Sequence, residues 1–163
     1  MQNKETKKTE LAHKQNNYLP YAIVTFLLIA TLVVFGVFLL REYNTINRVT
    51  AQIGKEVFKL EVADTDATRI QGLSERDSIA SGTGMLFVFN TDGNWRMVMR
   101  QMRFPIDIAW LDANKKIVHI KHNATPAEYP EEYKADIPTR YVIEVPSGTF
   151  NRLNVQEGDS ISF

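Results

Sequence analysis

The chain of 163 residues contains no cysteine and only three histidines. The absence of cysteine excludes disulfide bonds, thiolate catalysis and every zinc or iron–sulfur site that needs cysteine ligands. Two of the histidines, His119 and His122, lie three positions apart in a predicted strand, where such residues point to opposite faces. These two histidines therefore cannot bind one metal ion, and the sequence predicts no metal site. No cofactor is predicted either.

The folded part of the chain also lacks an excess of positive charge. The formal net charge is zero, and residues 51–163 hold thirteen Lys or Arg against sixteen Asp or Glu. A protein that binds duplex nucleic acid needs clustered positive charge to neutralise phosphates. Nucleic acid is therefore not an expected partner.

Motifs of two common enzyme classes are missing. Gly82-Thr83-Gly84 lacks the Lys and the Ser or Thr that complete a phosphate-binding loop. The serines have neither a nucleophile-elbow motif nor a convincing arrangement with His and Asp. The sequence does not favour a nucleotide hydrolase or a serine hydrolase.

Charge is absent from the twenty residues that run from Tyr21 to Leu40. As an α-helix this stretch spans roughly 30 Å, the thickness of the hydrocarbon core of a bilayer. A soluble helix that is apolar on every face would need a larger protein around it. We expect the stretch to cross the lipid bilayer once, as a transmembrane helix.

The lysines predict the orientation of this helix. Four of them lie in the basic tail, residues 1–20, and positive residues beside a membrane helix tend to stay in the cytoplasm. We expect a cell-membrane protein with a cytoplasmic N-terminus, a linker at residues 41–55 and an extracytoplasmic domain at residues 56–163. A cleaved signal peptide is the alternative, but the apolar core is longer than usual and no small-residue cleavage site ends it. We therefore prefer an uncleaved signal anchor.

The domain that follows is predicted to be rich in short strands. Alternating or continuous apolar residues between turn signals predict strands, and Asp64 or Thr65 can cap a short helix at residues 66–76. A second short helix is predicted to end at Leu153, and three prolines make residues 123–138 a long irregular loop. The strands are predicted at residues 56–63, 85–89, 95–99, 106–112, 116–121 and 140–145, with a last one ending at Phe163. This pattern indicates an α+β domain whose β-rich part can wrap into a barrel-like sheet with two short helices.

Five stretches of the domain carry a family resemblance: RIQGLSER (69–76), GMLFVF (84–89), PIDIAWLD (105–112), RYVIEV (140–145) and GD (158–159). In order and spacing they resemble the domain of unknown function 192 family, also named uncharacterised protein family 0127. The resemblance implies a small β-rich fold, often exported or membrane-anchored, with no established general activity. The family usually has Phe-Trp-Met-Lys-Asn-Thr before its Pro-Leu-Asp motif. In this chain MVMRQM (97–102) stands there, so a family site in that stretch would be altered or lost.

Two carboxylates are candidate site residues, Asp107 and Glu144. A buried carboxylate needs a cationic or hydrogen-bonding partner, and four arginines can supply one. The functional interpretation is a pocket for an anionic ligand or a tuned acid, whereas the structural one, which we favour, is an ion pair or a turn-capping carboxylate. The four arginines are Arg69, Arg76, Arg100 and Arg140.

Arg69 and Arg76 lie about two helical turns apart and would point the same way on a continuous helix. They can bind a carboxylate or phosphate, or brace the helix against the sheet, and we favour bracing. Trp95 is a further candidate, because aromatic side chains can line a groove for a peptide or a sugar.

The leading functional hypothesis is a membrane-anchored binding or interaction module without catalysis of its own. Its partner would be an envelope protein, a peptide or a small ligand. The alternative is an envelope enzyme, such as a hydrolase, that uses Asp107 or Glu144 together with arginines.

Overall fold

The computed structural model describes Lys8, residues 19–43 and residues 47–163. The chain divides into two compact units between residues 45 and 46. The described part of the first unit is dominated by helix α1 (Leu19–Tyr43). The second unit holds a six-stranded sheet and two short helices, so the α+β class is confirmed.

Helix α1 contains a span, Pro20–Phe38, that is long and apolar enough to cross a membrane and has no buried residue. Its hydroxyl groups bond within the helix: Thr25 Oγ1 donates to Tyr21 O at 3.0 Å and Thr31 Oγ1 to Leu28 O at 2.8 Å. These bonds satisfy the polar groups without a partner outside the helix. A helix of this kind near the N-terminus is compatible with a membrane anchor or with a signal sequence.

The second unit is built on one mixed sheet with the strand order β1-β2-β3-β6-β4-β5. The strands β2 and β3 run parallel, joined through the short helix α2, and every other neighbouring pair is antiparallel. The elements are β1 (Arg48–Ile53), β2 (Glu56–Ala63), α2 (Asp66–Gln71), β3 (Thr83–Gly93), β4 (Ile106–Leu111), β5 (Ile117–Ala124), β6 (Thr139–Pro146) and α3 (Thr149–Leu153), with a 3-10 turn at Pro126–Glu128.

A core cluster covers each face of the sheet. The first cluster includes Phe58, Leu86 and Phe150 and lies on the side of α3. The second includes Phe87 and Trp110 and lies on the side of the segments that follow α2 and β3. Because side chains alternate along a strand, β3, β4 and β6 supply residues to both clusters and are the most buried strands.

Four expectations about the elements were wrong. Residues 48–53, assigned to the linker, form β1, which pairs along its whole length with β2. The strand predicted at 95–99 has a single bridge, from Met97 to Tyr133, and the last strand is reduced to the bridges of Ser160 and Ser162. Helix α2 ends at Gln71 rather than Arg76, because Gly72 has a positive φ of 49° that stops the helix.

The sheet does not close into a barrel, since its edge strands β1 and β5 are not paired with each other. Isolated bridges from the C-terminal segment reach both edges instead, with Ser162 beside Gln52 of β1 and Ser160 beside Lys116, directly before β5. These bridges give both edge strands a partial cover, which limits the exposure of unpaired backbone groups.

Candidate ligand cleft

An open cleft of about 480 Å³ lies on the face of the second core cluster. This volume is in the range of small-molecule sites. Its walls are α2 with the turn that follows, the β3 side chains Phe87 and Phe89, and the irregular segment 96–102. The lining residues are Asp66, Arg69, Ile70, Gln71, Gly72, Leu73, Ser74, Phe87, Phe89, Arg96, Met97, Val98, Arg100, Met102 and Glu144.

Glu144 is a carboxylate placed among apolar side chains at this cleft. On β6 it pairs with Met85 of β3 and with Ile108 of β4. Both of these residues belong to the second core cluster. The residue is only 6% exposed. Within the described part of the chain no group makes a hydrogen bond or salt bridge to its carboxylate. A Cβ at Gly84 would collide with the carbonyl oxygen of Glu144, so the glycine permits the close approach of β3 and β6.

Burial controls the protonation of this carboxyl group. It raises the pKa of Glu144 from the ordinary value of 4.5 to about 8, and the positive charge of Arg76 opposes the shift only in part. A carboxyl group away from water favours its neutral form. Near neutral pH, Glu144 is therefore mostly protonated while the cleft is empty.

The two outer walls of the cleft are fastened to each other by three hydrogen bonds. Ser74 Oγ donates to Arg100 O, and Glu75 N donates to Gln101 O, both at 2.9 Å. The Arg100 guanidinium donates to Ile70 O, also at 2.9 Å. The stretch 69–76, which carries the family resemblance, thus meets the stretch 97–102, which departs from the family pattern, although they are more than twenty residues apart in the chain.

Helix α2 positions the first of these walls. Thr65 and Thr68 form a capping box at its start: each side chain accepts a hydrogen bond from the other residue's backbone N–H. Such a cap satisfies backbone groups that a helix start leaves unpaired. The cap fixes the first turn of α2, which carries Asp66, and the next turn carries Arg69.

Arg69 braces α2 against the sheet, as we favoured from the sequence. Its Nη1 donates to the carbonyl oxygens of Asp64 and Val88 at 2.7 Å, and its Nη2 lies 2.6 Å from Asp66 Oδ1. The guanidinium also lies over the ring of Phe89, 5.3 Å from the centroid. This residue lines the cleft and at the same time supports its wall.

Arg76 does not share the environment of Arg69, since α2 ends before it. It makes a bidentate pair with Glu61 of β2, at 2.7 and 3.1 Å. The pair lowers the pKa of Glu61 and raises that of Arg76. Arg76 is not part of the cleft lining, although its charge acts on Glu144.

Arginines give the cleft a positive mouth. Arg100 has no carboxylate partner within the part of the chain that the structure describes, and Arg96 pairs at 3.0 Å with Glu132 on the surface. Three arginines therefore line the cleft, Arg69, Arg96 and Arg100, against two acidic residues, Asp66 and Glu144. The apolar exposed side chains of Ile70 and Val98 also line the cleft.

Asp107 lies on the opposite face of the sheet from Glu144. It is fully buried and accepts hydrogen bonds from Asn123 N at 2.9 Å and Phe150 N at 3.1 Å. The first bond ties β4 to β5, and the second caps the N-terminal turn of α3. The side chain has the structural role that we favoured, and it does not meet Glu144 at one site.

The remaining candidates lie outside the cleft lining. Arg140 pairs with Asp92 at 2.7 Å. Trp95 stacks on Phe89 with 4.0 Å between ring centroids, so it supports a cleft residue from behind. Its indole Nε1–H is buried and has no hydrogen-bond partner among the described residues.

The residues described by the structure contain no cluster of three or more His, Asp or Glu able to hold a metal ion. His119, on β5, has its Nδ1 3.1 Å from Glu157 Oε1, and neither residue lines the cleft.

Sequence reasoning missed the apolar lining, above all Leu73, Phe87 and Met102. Their hydrophobicity signals burial but not which buried residues face an open space. A partial clue was that the stretches 69–76 and 97–102 each hold arginine beside apolar residues.

Fold and cleft together describe a small α+β domain with a ligand-sized cleft on a mixed sheet. The model of one family, DUF192, described as Uncharacterized ACR, matches residues 48–163. The chain belongs to this family, as the motif resemblance indicated.

Curated relatives include UPF0127 proteins from two archaea. The protein of Thermococcus kodakarensis is 30% identical over 105 residues, and that of Thermococcus gammatolerans is 33% identical over 106 residues. The alignments cover 64% of this chain and 64% and 65% of the two relatives. The chain therefore spans slightly less than two thirds of the length of these relatives.

Two crystal structures are similar to the domain. A protein of Sinorhizobium meliloti 1021, provisionally described as a transcription regulator, has a TM-score of 0.68 and 28% identity, with 72% of this chain and 94% of that chain covered. A protein of unknown function from Novosphingobium aromaticivorans DSM 12444 has a TM-score of 0.69 and 27% identity, with 74% and 88% covered. Both likenesses support the fold of the second unit.

Proposed function

We propose that this protein is a membrane-anchored binding module that takes a small, largely apolar ligand into the cleft beside Glu144. The observation that carries the proposal is a polar group, buried and without a partner among the described residues, at an apolar cleft. Ligand sites characteristically combine apolar walls with a few polar groups that fix orientation. A small ligand suits the volume better than a folded partner does.

A hydrolase that uses Asp107 and Glu144 as a pair is not supported by this arrangement. Paired-carboxylate catalysis needs two carboxylates that reach one substrate. Asp107 and Glu144 lie on opposite faces of the sheet, and Asp107 already accepts two backbone hydrogen bonds. Binding requires only the groups that the cleft brings together.

The apolar span in α1 supports the membrane part of the proposal. A charge-free stretch of this length matches the hydrocarbon core, and the lysines before it favour a cytoplasmic N-terminus. The binding domain would then lie outside the cytoplasm, where it meets ligands of the cell envelope.

Binding can be tested with 2-phenylethanol, a neutral apolar probe, and the full-length chain in lipid nanodiscs. We expect saturable binding that the cleft-filling variant Met102→Trp weakens by at least tenfold. The matched control Val57→Trp adds the same side chain to an exposed position of β2 outside the cleft lining, and it should bind like wild type. Equal binding by all three proteins, or no binding to wild type, would rule out the cleft as the site.

A further inference from the structure

Glu144 differs from Asp107 and Glu61, two other carboxylates of the sheet. Asp107 has two N–H donors, and Glu61 has the guanidinium of Arg76. Glu144 has neither within the described residues, although it is 6% exposed. Burial among apolar side chains disfavours the charged form of Glu144, which a cation or a hydrogen-bond donor would stabilise.

Cations around Glu144 are already engaged with other groups. Arg76 is held by both carboxylate oxygens of Glu61, and Arg69 by two backbone carbonyls and Asp66. Arg100 donates to Ile70 O. No cation pairs with Glu144 among the described residues, so a ligand that enters the cleft can supply a positive partner.

We propose that the ligand is an apolar primary amine whose ammonium group pairs with Glu144 inside the cleft. This inference rests on the proposed function and specifies its ligand class. The apolar body of the amine would pack on Phe87, Leu73 and Met102. Since the mouth carries arginines, the outer end of the ligand is neutral or anionic rather than a second cation.

Binding of such a ligand is coupled to the release of a proton. Burial holds the pKa of Glu144 near 8 in the empty cleft, so an ammonium group must displace the proton below that pH. The affinity for the ammonium ligand then rises by at most about tenfold per pH unit up to pH 8 and stays constant above that pH.

The charged groups on each wall set the local field. The walls carry Asp66 and Arg69 on α2 and Arg96 and Arg100 on the segment 96–102. Arg76 acts on Glu144 from outside the cleft lining. The strand positions paired with Glu144 are Met85 and Ile108, which are apolar. Glu144 is therefore the titrating group expected in this pH range.

Isothermal titration of the full-length chain in nanodiscs tests the inference with three probes of similar shape. The probes are 2-phenylethylamine, 2-phenylethanol and 3-phenylpropanoate, with empty nanodiscs as the blank. We expect the amine to bind at least tenfold more tightly than the alcohol at pH 8. At pH 7, buffers of different ionisation enthalpy should report release of nearly one proton per amine bound.

The variant Glu144→Gln keeps the shape of the side chain and removes its charge. It should lose the preference for the amine and the proton release while it still binds the alcohol. The matched control Glu131→Gln removes the same charge from an exposed position and should leave both properties unchanged.

Other outcomes separate the two proposals. Equal affinity of wild type for amine and alcohol, or a preference for the carboxylate, would overturn the ammonium inference and leave the cleft as a binding site. Failure of all three probes to bind wild type would overturn the proposed function as well. Because the probe series and the proton count use wild type, they decide the question even if Glu144→Gln does not fold.

Discussion

At the scale of residues, Asp107 and Glu144 show that position decides the role of a carboxylate. Both are almost fully buried on neighbouring strands, yet one meets two backbone N–H groups and the other faces an apolar cleft. Their side chains point to opposite faces because Glu144 pairs with Ile108, next to Asp107 in the chain. A slip of β6 by one residue would turn Glu144 to the face on which Asp107 lies.

The raised pKa of Glu144 predicts how stability depends on pH. The folded chain keeps a proton that the unfolded chain releases, because the pKa moves from 4.5 to about 8. The contribution of this group is complete below about pH 4.5 and is lost as pH rises towards 8, by at most about 1.4 kcal/mol per pH unit. Glu144→Gln should therefore gain stability over wild type between pH 5 and 8, as measured by urea unfolding of the full-length chain in detergent.

A constant stability difference between the two proteins over that pH range would contradict the raised pKa. Glu131→Gln is the control and should show no such divergence.

Gln101 lies in the left-handed region with φ of 55°, in the stretch where the family resemblance has Asn. Asn tolerates this conformation better than Gln, so Gln101→Asn should raise the free energy of unfolding by about 0.5–1 kcal/mol. Gln156→Asn, at a position without positive φ, should give no gain. Thermal or urea unfolding of both variants measures the difference, and equal effects would argue against a strained turn at Gln101.

At the scale of elements, local sequence patterns located most of the regularly paired strands, with β1 as the exception. Strands β2, β4, β5 and β6 and helix α3 lie close to their predicted positions, since alternation and turn residues act locally. The segment around Trp95 shows the same alternation but packs on the sheet without a ladder of its own. Alternation of apolar and polar residues indicates that one side of a segment is buried. It does not show whether the backbone N–H and C=O groups pair with a neighbouring strand.

The cleft was beyond sequence reasoning for the same reason. It depends on segments 69–74 and 96–102 being fastened together, through bonds such as that from Ser74 to Arg100. It also depends on the register that turns Glu144 towards them. The identities of Arg69, Arg100 and Glu144 as candidates came from the sequence, but their convergence and the exclusion of Arg140 required the three-dimensional arrangement.

Asp107 connects β4 with β5 and α3, which predicts a purely structural phenotype for its loss. Asp107→Ala would leave the N–H groups of Asn123 and Phe150 without their acceptor, at a cost of about 1–3 kcal/mol each. We expect urea unfolding at lower concentration, with unchanged affinity for 2-phenylethanol in the fraction that remains folded. A loss of binding without a loss of stability would instead assign Asp107 to the site.

At the scale of the whole molecule, the proposed anchor determines which ligands the domain meets. The absence of cysteine makes the orientation measurable, because single cysteines can be introduced without a background. We expect a membrane-impermeant maleimide to label Asn114→Cys on intact cells and Lys8→Cys only after permeabilisation. The reverse pattern would place the domain in the cytoplasm, and labelling of soluble chain alone would exclude an anchor.

The ionisation of Glu144 tests the account most directly. The carboxyl carbon of Glu144 can be followed by ¹³C NMR in the full-length chain in detergent and assigned by its absence from Glu144→Gln. We predict a pKa near 8 in the empty protein and a clear decrease when 2-phenylethylamine is added. A pKa near the ordinary value of 4.5 that does not respond to the amine would contradict both the buried, unpartnered carboxylate and the ligand assigned to it.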